Sequence, residues 1–422
     1  MMELSLVLIF ILGYTAISFE HALRIDKLIP ALLMMTLSWA LIALNTPDVH
    51  ALSENLLHHF GKTAEILIFL MGAMAIVEMI DYFDGFKSVQ SLIKVKTAYQ
   101  LLLVVSILGF FLSAIIDNLT ATIVLISILR KMVLDKELRM WMAGFVIIAA
   151  NAGGAWSPIG DVTTTMLWIA QKVSALKLIE HIFIPAVVSL LIPLLLAKKI
   201  KIFKQDLPAA PTIEKSKVSG LILLSGLGLI IFVPIFKTIT HLPPYMGMMF
   251  SLAIFAVIGE IASKRQLNLS SLNEQDHGGH IGPTLKALSK IEMPSILFFL
   301  GILMTVAAME ELGMIEQLGE NVLASGISKE LYISFLGLAS AIIDNVPLVA
   351  ASIGMFKDGM DADTWHFIAY TAGTGGSILI IGSAAGVVAM GMENIGFGWY
   401  LKRISLLALA GYIGGVLTFL ML

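Results

Sequence analysis

Cysteine is absent from the 422 residues. No disulfide, thiolate metal site or cysteine nucleophile can be built from this chain. Charge is scarce as well: Asp, Glu, Lys and Arg make up 14% of residues, against roughly 25% in soluble domains. There is no basic excess, since the net charge is −3, so nothing marks a nucleic-acid surface. The remainder is largely apolar, with 58% hydrophobic residues and a mean hydropathy of +0.91.

The apolar residues fall in uncharged runs, among them 4–19, 28–44, 182–197, 218–236, 293–309 and 404–422. A helix of roughly 20 residues crosses a bilayer. The runs predict an all-α polytopic membrane protein. The first of them follows Met1-Met2-Glu3 and has no basic flank, so it reads as a membrane helix rather than a signal peptide.

Ser113-Ala-Ile-Ile-Asp117-Asn118 recurs unchanged as Ser340-Ala-Ile-Ile-Asp344-Asn345. Downstream, Asn151-Ala-Gly-Gly-Ala-Trp-Ser157 is matched by Thr371-Ala-Gly-Thr-Gly-Gly-Ser377. Upstream, Glu65-Ile-Leu-Ile-Phe-Leu70 is matched by Ser295-Ile-Leu-Phe-Phe-Leu300. Three matches in one order mark two homologous halves. The first repeat is predicted over 1–204, with scaffold helices in 1–98, a hairpin at 99–134, a broken helix at 140–176 and a helix at 181–200. A Pro/Ala/Lys linker at 205–217 follows. The second repeat is predicted over 218–422, with scaffold helices in 218–312, a hairpin at 331–357, a broken helix at 365–393 and a helix at 402–422.

The hairpins are read as re-entrant because 99–134 is too short for two spans and too polar at its centre for one. Each half then has about five spanning helices, one of them broken. An odd number of spans inverts the second half relative to the first. With both termini outside, 21 of the 27 lysines and arginines fall on the cytoplasmic side. The hairpin at 99–134 then enters from the cytoplasm and the one at 331–357 from outside.

An ionisable side chain at membrane depth is a functional candidate. Three carboxylates qualify: Asp117, Asp161 and Asp344. Sodium is a hard cation that takes oxygen ligands, including the free carbonyls of broken helices. Its candidate ligands are Asp117, Asn118, Asn151, Asp161, Asp344 and Asn345. Ser157, Thr163, Thr164, Thr371, Thr374 and Ser377 stand close to them in sequence and complete the candidate set. A carboxylate withdrawn from water favours its neutral acid, so sodium and a proton can compete for the same group. That competition is the simplest route to antiport. The plainer alternative makes each aspartate a helix cap and each hydroxyl a partner for broken backbone. Glu65, Glu78 and Glu310 read as interfacial or as part of a proton path. His277 and His280 read as solvated loop residues.

The paired hairpin motifs, with Asn151…Ser157-Pro-Ile-Gly-Asp161-Val-Thr-Thr downstream, resemble the NhaD family of sodium/proton antiporters, in the ion transporter superfamily that also holds arsenite exporters and divalent-anion symporters. The resemblance implies exchange of sodium, or lithium, for protons across a bacterial inner membrane, supporting salt and alkali tolerance. It implies no cofactor beyond the transported ions, no enzymatic activity and a homodimer. Carried over by position, it points to Asp117, Asn118, Asn151, Asp161, Thr163, Thr164, Asp344, Asn345 and Ser377. The second half departs from the first, with Thr371 in place of Asn151 and Ser383 where Asp161 would align.

Two rivals share the superfamily. A carboxylate-anion symporter would need neutral hairpin tips, and here each tip carries an aspartate. An arsenite exporter would have no use for the carboxylates. An aspartyl intramembrane protease would need Gly-x-Gly-Asp, but the chain reads Pro158-Ile-Gly-Asp161.

Overall fold

The computed structural model describes residues 2–18, 20–90, 93, 95–207, 217–270 and 282–422. Most of the 205–217 linker, together with His277 and His280, lies outside the described residues.

The apolar runs become helices. The chain opens with α1 (Met2–Ser18), α2 (Glu20–Leu23), α3 (Leu28–Asn45), α4 (Val49–Tyr82) and α5 (Lys87–Gln90). α4 starts at Val49, well before its apolar part. Asp48 caps it there, its carboxylate accepting the amides of His50 and Ala51. The polar stretch 49–62 is therefore helical without being apolar, and Glu65 lies in the middle of α4.

Next come α6 (Ala98–Ser113), α7 (Asn118–Met132), α8 (Lys136–Ala155), α9 (Val162–Ile169) and α10 (Ala175–Ala197). The second half contains α11 (Lys217–Thr240), α12 (Pro244–Ser270), α13 (Pro283–Lys290), α14 (Met293–Glu311) and α15 (Met314–Ala324). It finishes with α16 (Lys329–Ala339), α17 (Asn345–Met355), α18 (Asp363–Gly375), α19 (Ala384–Glu393), α20 (Phe397–Arg403) and α21 (Ser405–Met421). The helix expected over 402–422 is divided at Ile404 and bent by 53°. Among the described residues, seven helices are long and apolar enough to cross a membrane, or eight if α20 and α21 form one span.

Two helices sit at the centre. Every residue of α8 from Trp141 to Ala155 is buried, and so is every residue of α18 from Trp365 to Gly375. A helix that is buried all round belongs in the interior. Both arms α6 and α7 pack on α8, and α16 and α17 pack on α18. Glycine makes these approaches close. A Cβ on Gly153 would stand 2.1 Å from the Phe110 carbonyl oxygen, and one on Gly375 would stand 1.9 Å from that of Gly337.

The two helical pairs open at opposite ends of the molecule. The Ala98 amide, at the start of α6, bonds Gln205, and Arg130, near the end of α7, pairs with Glu393. Trp141 joins these ends through ring contacts with Phe203 and Trp399. At the other end, Lys329 at the start of α16 pairs with Asp358 just beyond α17. Asp361 there accepts the Ser174 amide from the first half. Each pair therefore enters and leaves on one side, with its turn directed inward.

Candidate ion site between the halves

The turns Ala114–Asp117 and Ala341–Asp344 are pinned in the same way. Ser113 Oγ donates to the Ala150 carbonyl at 2.6 Å, and Ser340 Oγ donates to that of Ala372 at 2.8 Å. Both serines are fully buried, and each fastens a tip to the central helix of its own half.

Asp117 and Asp344 are N-caps. Asp117 accepts the Thr120 amide at 2.8 Å and the Thr120 hydroxyl at 2.7 Å. Asp344 accepts the Val346 amide at 3.2 Å. The plainer alternative is realised at these two positions, although each carboxylate keeps lone pairs free. Both residues are partly exposed.

The neighbouring asparagines are buried and reach further. Asn118 donates to Asn151 Oδ1 at 3.0 Å, and Asn151 Nδ2 donates to Ser383 Oγ at 3.0 Å. Asn345 donates to Asp161 Oδ2 at 2.9 Å. The contacts are crossed. The tip of the first half reaches the second break through Asn151, and the tip of the second half reaches the first break directly.

Asp161 and Ser383 hold equivalent backbone positions, at φ −146°, ψ 151° and φ −147°, ψ 155° respectively. Their side chains behave differently. Ser383 caps α19, accepting the Gly386 amide at 3.2 Å. Asp161 precedes α9 in the same way but makes no cap hydrogen bond. Its carboxylate is only 3% exposed and turns toward Asn345. Beside it the Thr163 hydroxyl is buried without a hydrogen-bond partner. A buried hydroxyl next to a buried carboxylate offers oxygen to a cation. Asp344 is near enough to interact with Asp161 through its charge.

The other candidates stand apart from this contact. Thr164 Oγ1 donates to its own helix start, the Asp161 carbonyl, at 2.9 Å. Ser157 Oγ accepts the Ile159 amide at 3.4 Å. Thr371, Thr374 and Ser377 donate to the Phe367, Tyr370 and Thr374 carbonyls. These three satisfy local backbone, so Thr371 does not repeat the role of Asn151.

Two cavities flank the scaffold helix α4. One, of about 360 Å³, runs past Glu78, Asp81 and Glu292 to Thr120, the partner of Asp117. The other, of about 470 Å³, is lined by Glu65, Glu310, Lys62 and Lys172 on the opposite side. Glu78 and Glu310 thus line two different cavities, each walled by residues of both halves, which sequence position alone did not distinguish from an interfacial place. Sequence reasoning also passed over Tyr14 and Lys27. A cavity of about 60 Å³ brings them together with Asp344 and Ser383. Tyr14 was hidden in an apolar run, and Lys27 was read only as an orienting charge.

The family model described as Citrate transporter matches residues 8–375. The chain is 41% identical to "Sodium/proton antiporter 1" of Arabidopsis thaliana, covering 99% of this chain and 72% of that protein. It is 30% identical to "Na(+)/H(+) antiporter NhaD" of Vibrio cholerae, covering 98% of this chain and 91% of that protein. Among solved structures it is similar to the YdaH transporter of Alcanivorax borkumensis, whose topology is described as unusual. That similarity has a TM-score of 0.54 at 13% identity and covers 89% of each chain, so it bears on the fold alone.

Proposed function

Because this chain belongs to the NhaD-type sodium/proton antiporters of the ion transporter superfamily, we propose that it exchanges sodium for protons across a cytoplasmic membrane, with Asp161 as the group where the two cations alternate. One observation carries this reading. The Asp161 carboxylate is buried, is not spent on capping, and meets Asn345 from the opposite half. A buried carboxylate is costly unless a proton or a cation compensates it. Either one neutralises the same oxygens, so binding of one expels the other. Sodium would take oxygens from Asp161 and Thr163, and lithium offers the same hard-cation chemistry.

In the proposed orientation both termini lie outside and the α6–α7 hairpin opens to the cytoplasm. The halves then form inverted repeats, and the hairpins with the broken helices move against a scaffold of the first helices of each half. Sodium extrusion and pH homeostasis are the physiological consequences. Three carboxylates at the tips and the break argue against a carboxylate anion as cargo, because like charge at a binding site penalises the wrong partner.

The experiment is collapse of a respiration-driven pH gradient in everted vesicles. Sodium or lithium should collapse it, potassium should not, and citrate should leave it unchanged. A chain that takes up citrate and leaves the gradient intact with sodium is not an antiporter.

A further inference from the structure

Tyr14 on α1 is 7% exposed, and its hydroxyl is buried without a hydrogen-bond partner. It lines the cavity of about 60 Å³ that also holds Lys27, Glu20, Phe298, Asp344 and Ser383. A cavity of this size has room for water or a small cation. Its walls come from two parts of the molecule. Tyr14, Glu20 and Phe298 lie on α1, α2 and α14 and Lys27 in the turn before α3, whereas Asp344 and Ser383 belong to the second tip and the second break.

The Lys27 ammonium stands 4.6 Å above the Phe298 ring and interacts with the Asp344 carboxylate through its charge. It also acts on Glu292, which in turn acts on Asp117. Asp344 and its backbone are polar groups that act on the Tyr14 phenol. An ammonium, a carboxylate and a buried phenol oxygen with no side-chain hydrogen-bond partner thus share one small cavity. Besides a proton, the charges that can compensate the carboxylate there are the tethered ammonium and a small cation that enters.

We propose that this cavity is a cation station completed by the scaffold, in which the Tyr14 hydroxyl and the Asp344 carboxylate receive sodium while Lys27 acts as a tethered cation competing with it for Asp344. Sodium binding releases Lys27 toward Glu20 and the Phe298 face, and sodium departure returns it. This rests on sodium being the cargo, as proposed above. Lys27 is a positioning residue that sets how tightly Asp344 holds an incoming ion.

The test uses purified full-length protein and everted vesicles. The readouts are the half-saturating sodium concentration for gradient collapse and the sodium-dependent rise in melting temperature, with choline as control. Lys27→Met keeps the stem over Phe298 and removes the charge. It should lower the half-saturating concentration about tenfold, equivalent to about 1.4 kcal/mol. Lys27→Arg keeps the charge and should stay close to the unsubstituted protein. Tyr14→Phe should raise the half-saturating concentration several-fold. An unchanged or raised value in Lys27→Met overturns the proposal, as does an equal fall in Lys27→Arg. If the unsubstituted protein responds to sodium in neither readout, the sodium reading itself fails. If it responds and the variants do not differ from it, only the station is lost.

Discussion

Asn345 and Asp161 meet at 2.9 Å although one belongs to the second hairpin and the other to the first broken helix. The contact joins the two halves at the carboxylate that no cap uses. Asp161→Asn preserves size and removes the exchangeable charge. Sodium-driven gradient collapse should fall at least 100-fold, about 2.7 kcal/mol on the tenfold scale, while membrane expression holds. Asn345→Ala should weaken exchange less, because the carboxylate remains. Vesicle assays with both variants check the order, and exchange at the unsubstituted rate in Asp161→Asn would remove Asp161 from the mechanism.

Ser383 occupies the backbone position equivalent to Asp161 but spends its oxygen on the Gly386 amide and the Asn151 amide group. Its role is therefore structural in large part. Ser383→Ala should cost about 1–2 kcal/mol, a lost cap and one stranded donor, with exchange retained. Melting temperature and vesicle exchange, measured together, separate this outcome from that of Asp161→Asn.

The difference between these residues shows what the sequence carries and what it hides. Asp161 is legible because a charge in an apolar stretch demands a reason, and the duplicated motif locates both tips. The direction of the Asp161 side chain is not legible, since an aspartate before a helix usually caps it, as Asp117 and Asp344 do. Lys27 and Tyr14 escape for another reason. Their meaning depends on a cavity shared with Asp344, far along the chain, and no local pattern announces it. The early start of α4 is not legible in the apolar runs, because Asp48 starts this helix with a cap inside a polar stretch.

Gly153 and Gly375 let hairpin backbone touch the central helices. Gly153→Ala and Gly375→Ala place a methyl group against a carbonyl oxygen that cannot move alone. Each should cost about 1–3 kcal/mol or more. Gly228, in α11, has nothing within 4 Å of an added Cβ. Gly228→Ala should instead be neutral or stabilise by up to about 1 kcal/mol through helix propensity. Thermal melting of the three variants in detergent gives the comparison, and equal losses in all three would refute the steric account.

Glu393 ends α19 with its side chain 2% exposed, paired with Arg130 at 2.8 Å and Arg139 at 3.0 Å. The arginines are not equivalent. Arg130 is 46% exposed and Arg139 is 19% exposed, and Arg139 also donates to the Val133 and Leu134 carbonyls. Removing one partner of a buried pair costs about 3–5 kcal/mol, whereas exposed pairs are worth about 1 kcal/mol or less. Arg139→Ala should therefore destabilise markedly and Arg130→Ala little. Melting temperatures that reversed this order would show that solvent, not burial, governs the cluster.

Asp358 lies in the loop that follows α17, outside the helices, and its pairing with Lys329 closes the open end of the second hairpin. Partial burial by itself would raise its pKa. Hydrogen bonds from Lys329 and Thr364, with the charges of Lys329 and Lys172, outweigh that and hold it below the ordinary aspartate value. A carboxylate held low in the folded state contributes stability that is present above its unfolded value and is lost as pH falls through its folded value. The difference in melting temperature between the unsubstituted protein and Lys329→Ala should therefore be full at neutral pH and shrink in the acid range. Melting curves from pH 7 down to about 3, which brackets the ordinary aspartate value near 3.9, test the sign. A difference that stayed constant on acidification would mean that Lys329 stabilises this loop by packing over Phe356 rather than by holding Asp358 ionised.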